Sequence, residues 1–195
     1  MTENLSNEER RLAELILHIS GKCLTHDKFG ATKLNKILFF SDFVFFKQHG
    51  RPITGVEYFK LPKGPAPKCL LKVRESLVAE GSLAIAHRVI PDGRVQQRTI
   101  PLRPARISDF FSADEIEIVD QVVEILKDKS AEEVSELSHL YVVGWKLYGL
   151  KEEIPYHSVF ARIMKEEYIT EHDIERGRQI EERLGLPKTP EIQGG

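Results

Sequence analysis

One stretch limits the fold more than any other: LNKILFFSDFVFFKQ, residues 34–48. Apolar side chains from Ile37 to Phe46 cover most of the circumference of a helix. A helix of that kind has no wet side, so the one predicted over Lys33 to about His49, with Thr32 as its N-cap, sits at the centre of a core. Ser41 and Asp42 interrupt the run, which therefore falls short of the roughly 18 apolar residues that a bilayer span needs. Asp42 has two readings. It is an exposed carboxylate on a narrow polar stripe with Asn35 and Ser41, or it is half buried and paired with a lysine or arginine, because an unpaired buried charge is costly.

The flanking sequence is punctuated by turn and cap signals. Ser6-x-x-Glu9 is a capping box opening a helix to about Ser20, with Gly21 as its stop. Val56 to Lys60 is a short strand rich in β-branched and aromatic residues. The bend KLPKGPAPK follows, in which Gly64 permits a tight turn and Pro65 and Pro67 suit the mouth of a helix. That helix carries Leu70, Val73 and Leu77 to a stop at Gly81. Leu83–Ile90 and Arg94–Leu102 alternate with a period of two around Pro91-Asp92-Gly93, a hairpin turn signal. With Val56–Lys60 they are expected to form a three-stranded antiparallel sheet. Ser112-x-x-Glu115 and Ser130-x-x-Glu133 open two more helices, His157 or Ser158 caps a short one, and Thr170-x-x-Asp173 opens a last one.

The fold class is therefore α+β: one mostly helical domain over residues 1–185 with a core over 32–155, then a flexible tail, PKTPEIQGG, over about 186–195. The polar, acidic N-terminus is not a secretory signal. Cys23 and Cys69 stand far apart without a CxxC partner, which fits a reducing cytoplasm. Net charge is -2, but it is unevenly spread. Residues 51–106 hold 11 basic and 4 acidic side chains, net +7, whereas 107–195 hold 10 basic and 20 acidic, net -10. Either the two surfaces neutralise each other across the fold or one of them meets a partner.

Catalytic patterns are missing from the sequence. There is no Gly-rich phosphate loop, no HExxH, no paired CxxC and no GxSxG elbow. The seven histidines are scattered, so no metal or cofactor is expected. Cys69 lies in a first helical turn between Lys68 and Lys72, which would lower its pKa. The plainer reading is a small buried hydrophobe. His139 reads as a cationic or hydrogen-bonding side chain at a helix C-terminus, and Trp145 as a core anchor or a contact residue.

Lys33-Leu34-x-Lys36-Ile37-Leu38-x-Phe40 with Asp42, then Tyr58-x-Lys60, Gly64-Pro65, Glu136-Leu137-Ser138-His139, Trp145 and Gly149 stand in an order and spacing that resemble the Panacea domain. This is the family of SocA-like antitoxins of bacterial toxin–antitoxin pairs and phage-related genes. Phe39-Phe40 stands where family members usually carry an aromatic residue such as Tyr. The resemblance runs from about Thr32 to Pro155. It implies a phage-associated, cytoplasmic, non-enzymatic binding protein that neutralises a cognate toxin by contact.

Tyr58 and Lys60 share one strand face and would line a groove with Gly64 and Pro65, unless Tyr58 simply packs on the neighbouring helix. Lys63, Lys68, His139 and Trp145 complete the candidate partner-binding residues. The competing reading is a DNA-binding regulator with a winged-helix-like order of elements in the middle of the chain. Lys68–Glu80 would then be the recognition helix, Pro91–Arg94 the wing tip, and Lys63, Lys68, Lys72, Arg74, Arg88, Arg94 and Arg98 the phosphate contacts. Few side chains on that helix can read base edges.

Overall fold

The computed structural model describes residues 5–90, 93–141 and 148–160, together with 175, 176, 179, 182 and 183. Helix α1 spans Asn7–Lys22, α2 Ala31–His49, α3 Leu70–Ala79, α4 Ile107–Phe110, α5 Ala113–Leu126 and α6 Ala131–Tyr141. Strands β1, Tyr58–Leu61, and β2, Gly64–Pro67, form one antiparallel pair. Strands β3, Leu83–Val89, and β4, Val95–Pro101, form another, and a 3-10 turn covers Tyr156–Phe160. The expected α+β class holds.

Helix α2 is the centre of the molecule. Every residue from Lys33 to Phe46 except Asn35 is buried, and α1, α5, α6 and β2 pack around it. Its N-cap is Gly30, not Thr32. A Cβ on Gly30 would lie 2.9 Å from Gln96 Cγ and 3.2 Å from the Gln97 carbonyl oxygen, so glycine lets β4 approach closely. The capping boxes of α1 and α5 close as expected, with Ser6 accepting from the Glu9 amide and Ser112 from the Glu115 amide. Gly21 does not stop α1, which runs one residue beyond it.

The three-stranded sheet is overturned. Gly64–Pro67 is not the mouth of a helix; it folds back on β1, and α3 begins only at Leu70. Pro65 and Pro67 alternate with Gly64 and Ala66, so both missing donors fall on the strand edge that faces away from β1. Proline is tolerated at such an edge. The other edge of β1 is taken by residues 151–154. The Lys60 amide donates to the Glu152 carbonyl at 2.9 Å and the Ile154 amide to the Tyr58 carbonyl at 2.8 Å. With both edges filled, β1 has no place for β3. The β3–β4 hairpin instead packs on α1 and α3, fixed in part by a 2.6 Å hydrogen bond between the Ser20 and Thr99 hydroxyls.

Two arginine clusters fasten the connector after β4. Glu14 is 1% exposed and accepts from both Arg103 and Arg106 at 2.8–3.1 Å. Burial raises its pKa, but these hydrogen bonds outweigh that and hold the carboxyl below its ordinary range. Glu115 likewise accepts from Arg11 at 2.9 Å and Arg51 at 2.6 Å.

Candidate functional site

Three charged residues of α2, Lys33, Lys36 and Asp42, are buried. Lys33 donates to the Lys127 carbonyl at 2.9 Å and Lys36 to the Pro65 carbonyl at 2.9 Å. Both lysines are buried, at 0% and 1% exposure. Carbonyl oxygens offer no full countercharge, so burial lowers both pKa values, that of Lys36 to about 7.

Lys36 reaches β2 because of Gly64. Gly64 has φ +101, and a Cβ there would sit 2.4 Å from Lys36 Cε, 2.7 Å from its Nζ and 2.8 Å from the Ser138 hydroxyl. The glycine serves both the turn and the space. Ser135 of α6 donates to the Lys63 carbonyl at 3.2 Å, so α2 and α6 together cover the proline-bearing edge. His139, half-buried in the last turn of α6, is pushed down to about 4 by burial and by nearby Lys36 and Lys60. It is therefore neutral at pH 7, which corrects the cationic alternative.

Asp42 is neither exposed nor paired with a base. It is fully buried and accepts from the Thr54 amide at 2.6 Å, the Thr54 hydroxyl at 2.5 Å and the Tyr58 hydroxyl at 2.8 Å. Desolvation raises its pKa to about 6 against the lowering effect of these donors. Three short donors replace a cation, which the spacing in sequence did not reveal. Tyr156 closes the same region, its hydroxyl donating to the Val56 carbonyl at 2.7 Å and its ring 4.8 Å from that of Phe43.

The candidate residues thus divide. Lys60, Gly64, Pro65 and His139 gather around Lys36. Tyr58 packs in the core at 1% exposure, edge-to-face with Phe39 and Phe43. Lys60 donates to the Tyr148 carbonyl at 2.8 Å. Lys63 is exposed at the hairpin turn, and Lys68 is exposed and paired with Glu57 at 2.7 Å. Trp145 lies outside the described residues. Lys36, Thr54 and Ser138 were not singled out as site residues. The signals for Lys36 are its place in the family pattern and in a helix without a wet side.

Much of the basic middle segment is engaged within the fold. Lys72 pairs with Glu9 at 2.9 Å, Arg88 with Asp27 at 2.6 Å and Arg94 with Glu132 at 2.6 Å, while Arg98 donates to the Leu24 carbonyl at 2.7 Å. Most of these acids belong to the N-terminal part of the chain, not to the acidic C-terminal half. Cys69 caps α3 without a side-chain bond, and burial, with Glu9 nearby, pushes its thiol up to about 11. The expected lowering by Lys68 and Lys72 is reversed. Among the described residues no group of three or more His, Cys, Asp or Glu side chains is placed to hold a metal ion. Among them, too, no helix is long and apolar enough to cross a membrane.

The family described as antitoxin SocA-like, Panacea domain, matches residues 34–146, and the chain belongs to it. Neither a curated protein nor a solved structure matches the chain.

Proposed function

We propose that this protein is a cytoplasmic, non-enzymatic antitoxin that neutralises a cognate toxin by direct contact, through occlusion. Family membership supports a toxin partner in general. The observation that carries the contact reading is the direction of the family-motif residues. Lys36, Asp42, Tyr58 and Gly64 are all buried and hold α2, α6 and the hairpin together. A motif spent on the scaffold leaves the outer surface to define the partner, as in a binding module. Both cysteines are free, in keeping with a reducing compartment.

The winged-helix reading stands second. Helix α3 is followed by the β3–β4 hairpin, but its exposed residues include Leu71, Glu75 and Val78, with exposed Glu80 at its C-cap. An acidic and apolar face is a poor match for a phosphate backbone.

Co-expression tests the proposal. Growth arrested by the product of the gene adjacent to this one is expected to resume when this protein is made with it. Equal arrest with and without it would overturn neutralisation of that product.

A further inference from the structure

We infer that the open groove between α4 and α5 receives a basic amphipathic helix of the toxin; this rests on the neutralisation reading above. The groove has a volume of about 1100 Å³. Its shape follows from the Ser112 capping box. Phe111 is extended, at φ -134 and ψ 147, and the chain then turns sharply into α5, so α4 and α5 diverge from one corner.

Ile107, Phe111 and Ile116 form an apolar floor, each only partly covered. Glu117, Asp120 and Glu124 form one wall. They stand at i, i+3 and i+7 on α5 and so share a face about 10 Å long, two helical turns.

These acids differ from Glu14 and Glu115, which are buried and committed to arginines. Glu117 accepts from Gln121, its own helix neighbour, at 3.2 Å. Asp120 meets Lys22 and His18 at the end of the groove nearest α1, and Glu124 pairs with Lys127 one turn along. The Lys22 and Lys127 pairs are open to water, so they are worth little and exchange readily for a partner's cations, whereas His18 holds Asp120 from a partly buried position. An apolar floor beside an acidic wall is complementary to a helix with an apolar stripe flanked on one side by lysines or arginines. Helix α5 carries five acidic side chains and no lysine or arginine, and this one-signed field would steer such a partner to the groove.

The test titrates the purified product of the adjacent gene into this protein and into two charge-matched variants. Glu117→Lys with Glu124→Lys reverses the wall; Glu75→Lys with Glu80→Lys makes the same charge change on α3 and its C-cap. A third variant, Ile107→Asp, alters the floor and is used if it melts as the parent does. A Kd at least tenfold higher for the wall variant, with the α3 variant within twofold of the parent, supports the groove. Parent-like binding by the wall variant, or equal loss in the α3 variant, overturns the groove and leaves neutralisation standing. No binding by the parent protein overturns both. A parent that is dimeric in solution and monomeric as the wall variant would assign the groove to a second copy and overturn the proposal.

Discussion

The ammonium of Lys36 donates to the carbonyl of Pro65 at 2.9 Å, a bond across 29 residues that ties the central helix to the edge strand of a proline-bearing hairpin. The bond sits where water does not reach, at 1% exposure of the lysine. It joins two separate parts of the family pattern.

A pH dependence follows. Burial lowers the Lys36 pKa from 10.5 to about 7, so between these values the unfolded chain binds a proton that the folded one does not. Lys36 therefore favours folding above its unfolded pKa, and that stability is lost as pH falls through about 7. Between pH 7 and 9.5 the parent should gain on the order of 3 kcal/mol relative to Lys36→Met. Urea unfolding of both proteins at the two pH values checks this. Parallel pH profiles would show that the amine titrates as an exposed lysine does.

Gly64→Ala should cost about 3 kcal/mol, from an unfavourable φ and the collision with Lys36. The double variant with Lys36→Ala should recover the collision and not the backbone strain. A double-mutant cycle on melting temperature separates the two, and strict additivity would show that they do not meet.

Asp42→Ala leaves the Thr54 amide and the Tyr58 hydroxyl without their acceptor, and about 3 kcal/mol of stability should be lost. Tyr58→Phe removes one of three donors and should cost about 1 kcal/mol. Because burial raises the Asp42 pKa to about 6, its contribution is present below the ordinary carboxylate pKa and lost as pH rises through about 6. Asp42→Asn should flatten that part of the stability profile, measured from pH 4 to 7. An unchanged slope would mean that another group titrates there.

Cys69 and Cys23, both pushed up to about 11, should alkylate slowly in the folded protein. At pH 8 the thiolate fraction is about 100-fold below that of an ordinary thiol. Iodoacetamide labelling followed by mass spectrometry measures this. Rapid single labelling at Cys69 would restore the reactive reading.

Local signals were legible where neighbours in sequence decide the structure. The Ser6, Ser112 and Ser130 capping boxes close as the i, i+3 spacing says they should. The β3–β4 hairpin forms around a Gly93 with φ +83. The apolar girth of α2, interrupted only at Ser41 and Asp42 between Ile37 and Phe46, placed it in the core. Long-range features were not legible. Pro65 and Pro67 read as a helix entrance, because nothing local says that residues 58–61 will pair with them and residues 151–154 will pair on the far side. The inward turn of Lys33 and Lys36 depends on carbonyl oxygens of Lys127 and Pro65, which only the folded chain supplies. Pairs such as Arg103 with Glu14, 89 residues apart, likewise hid the use of the basic segment.

Neutralisation by occlusion is tested most directly by stoichiometry. Purified adjacent-gene product is titrated with this protein while its toxic activity is followed, and its mass is measured after the complex is dissociated. Activity should fall linearly to a fixed molar ratio of the two proteins, and the released toxin should be active again with its mass unchanged. Inactivation by a small fraction of an equivalent, or a toxin recovered with an altered mass, would contradict occlusion and make this protein a catalyst.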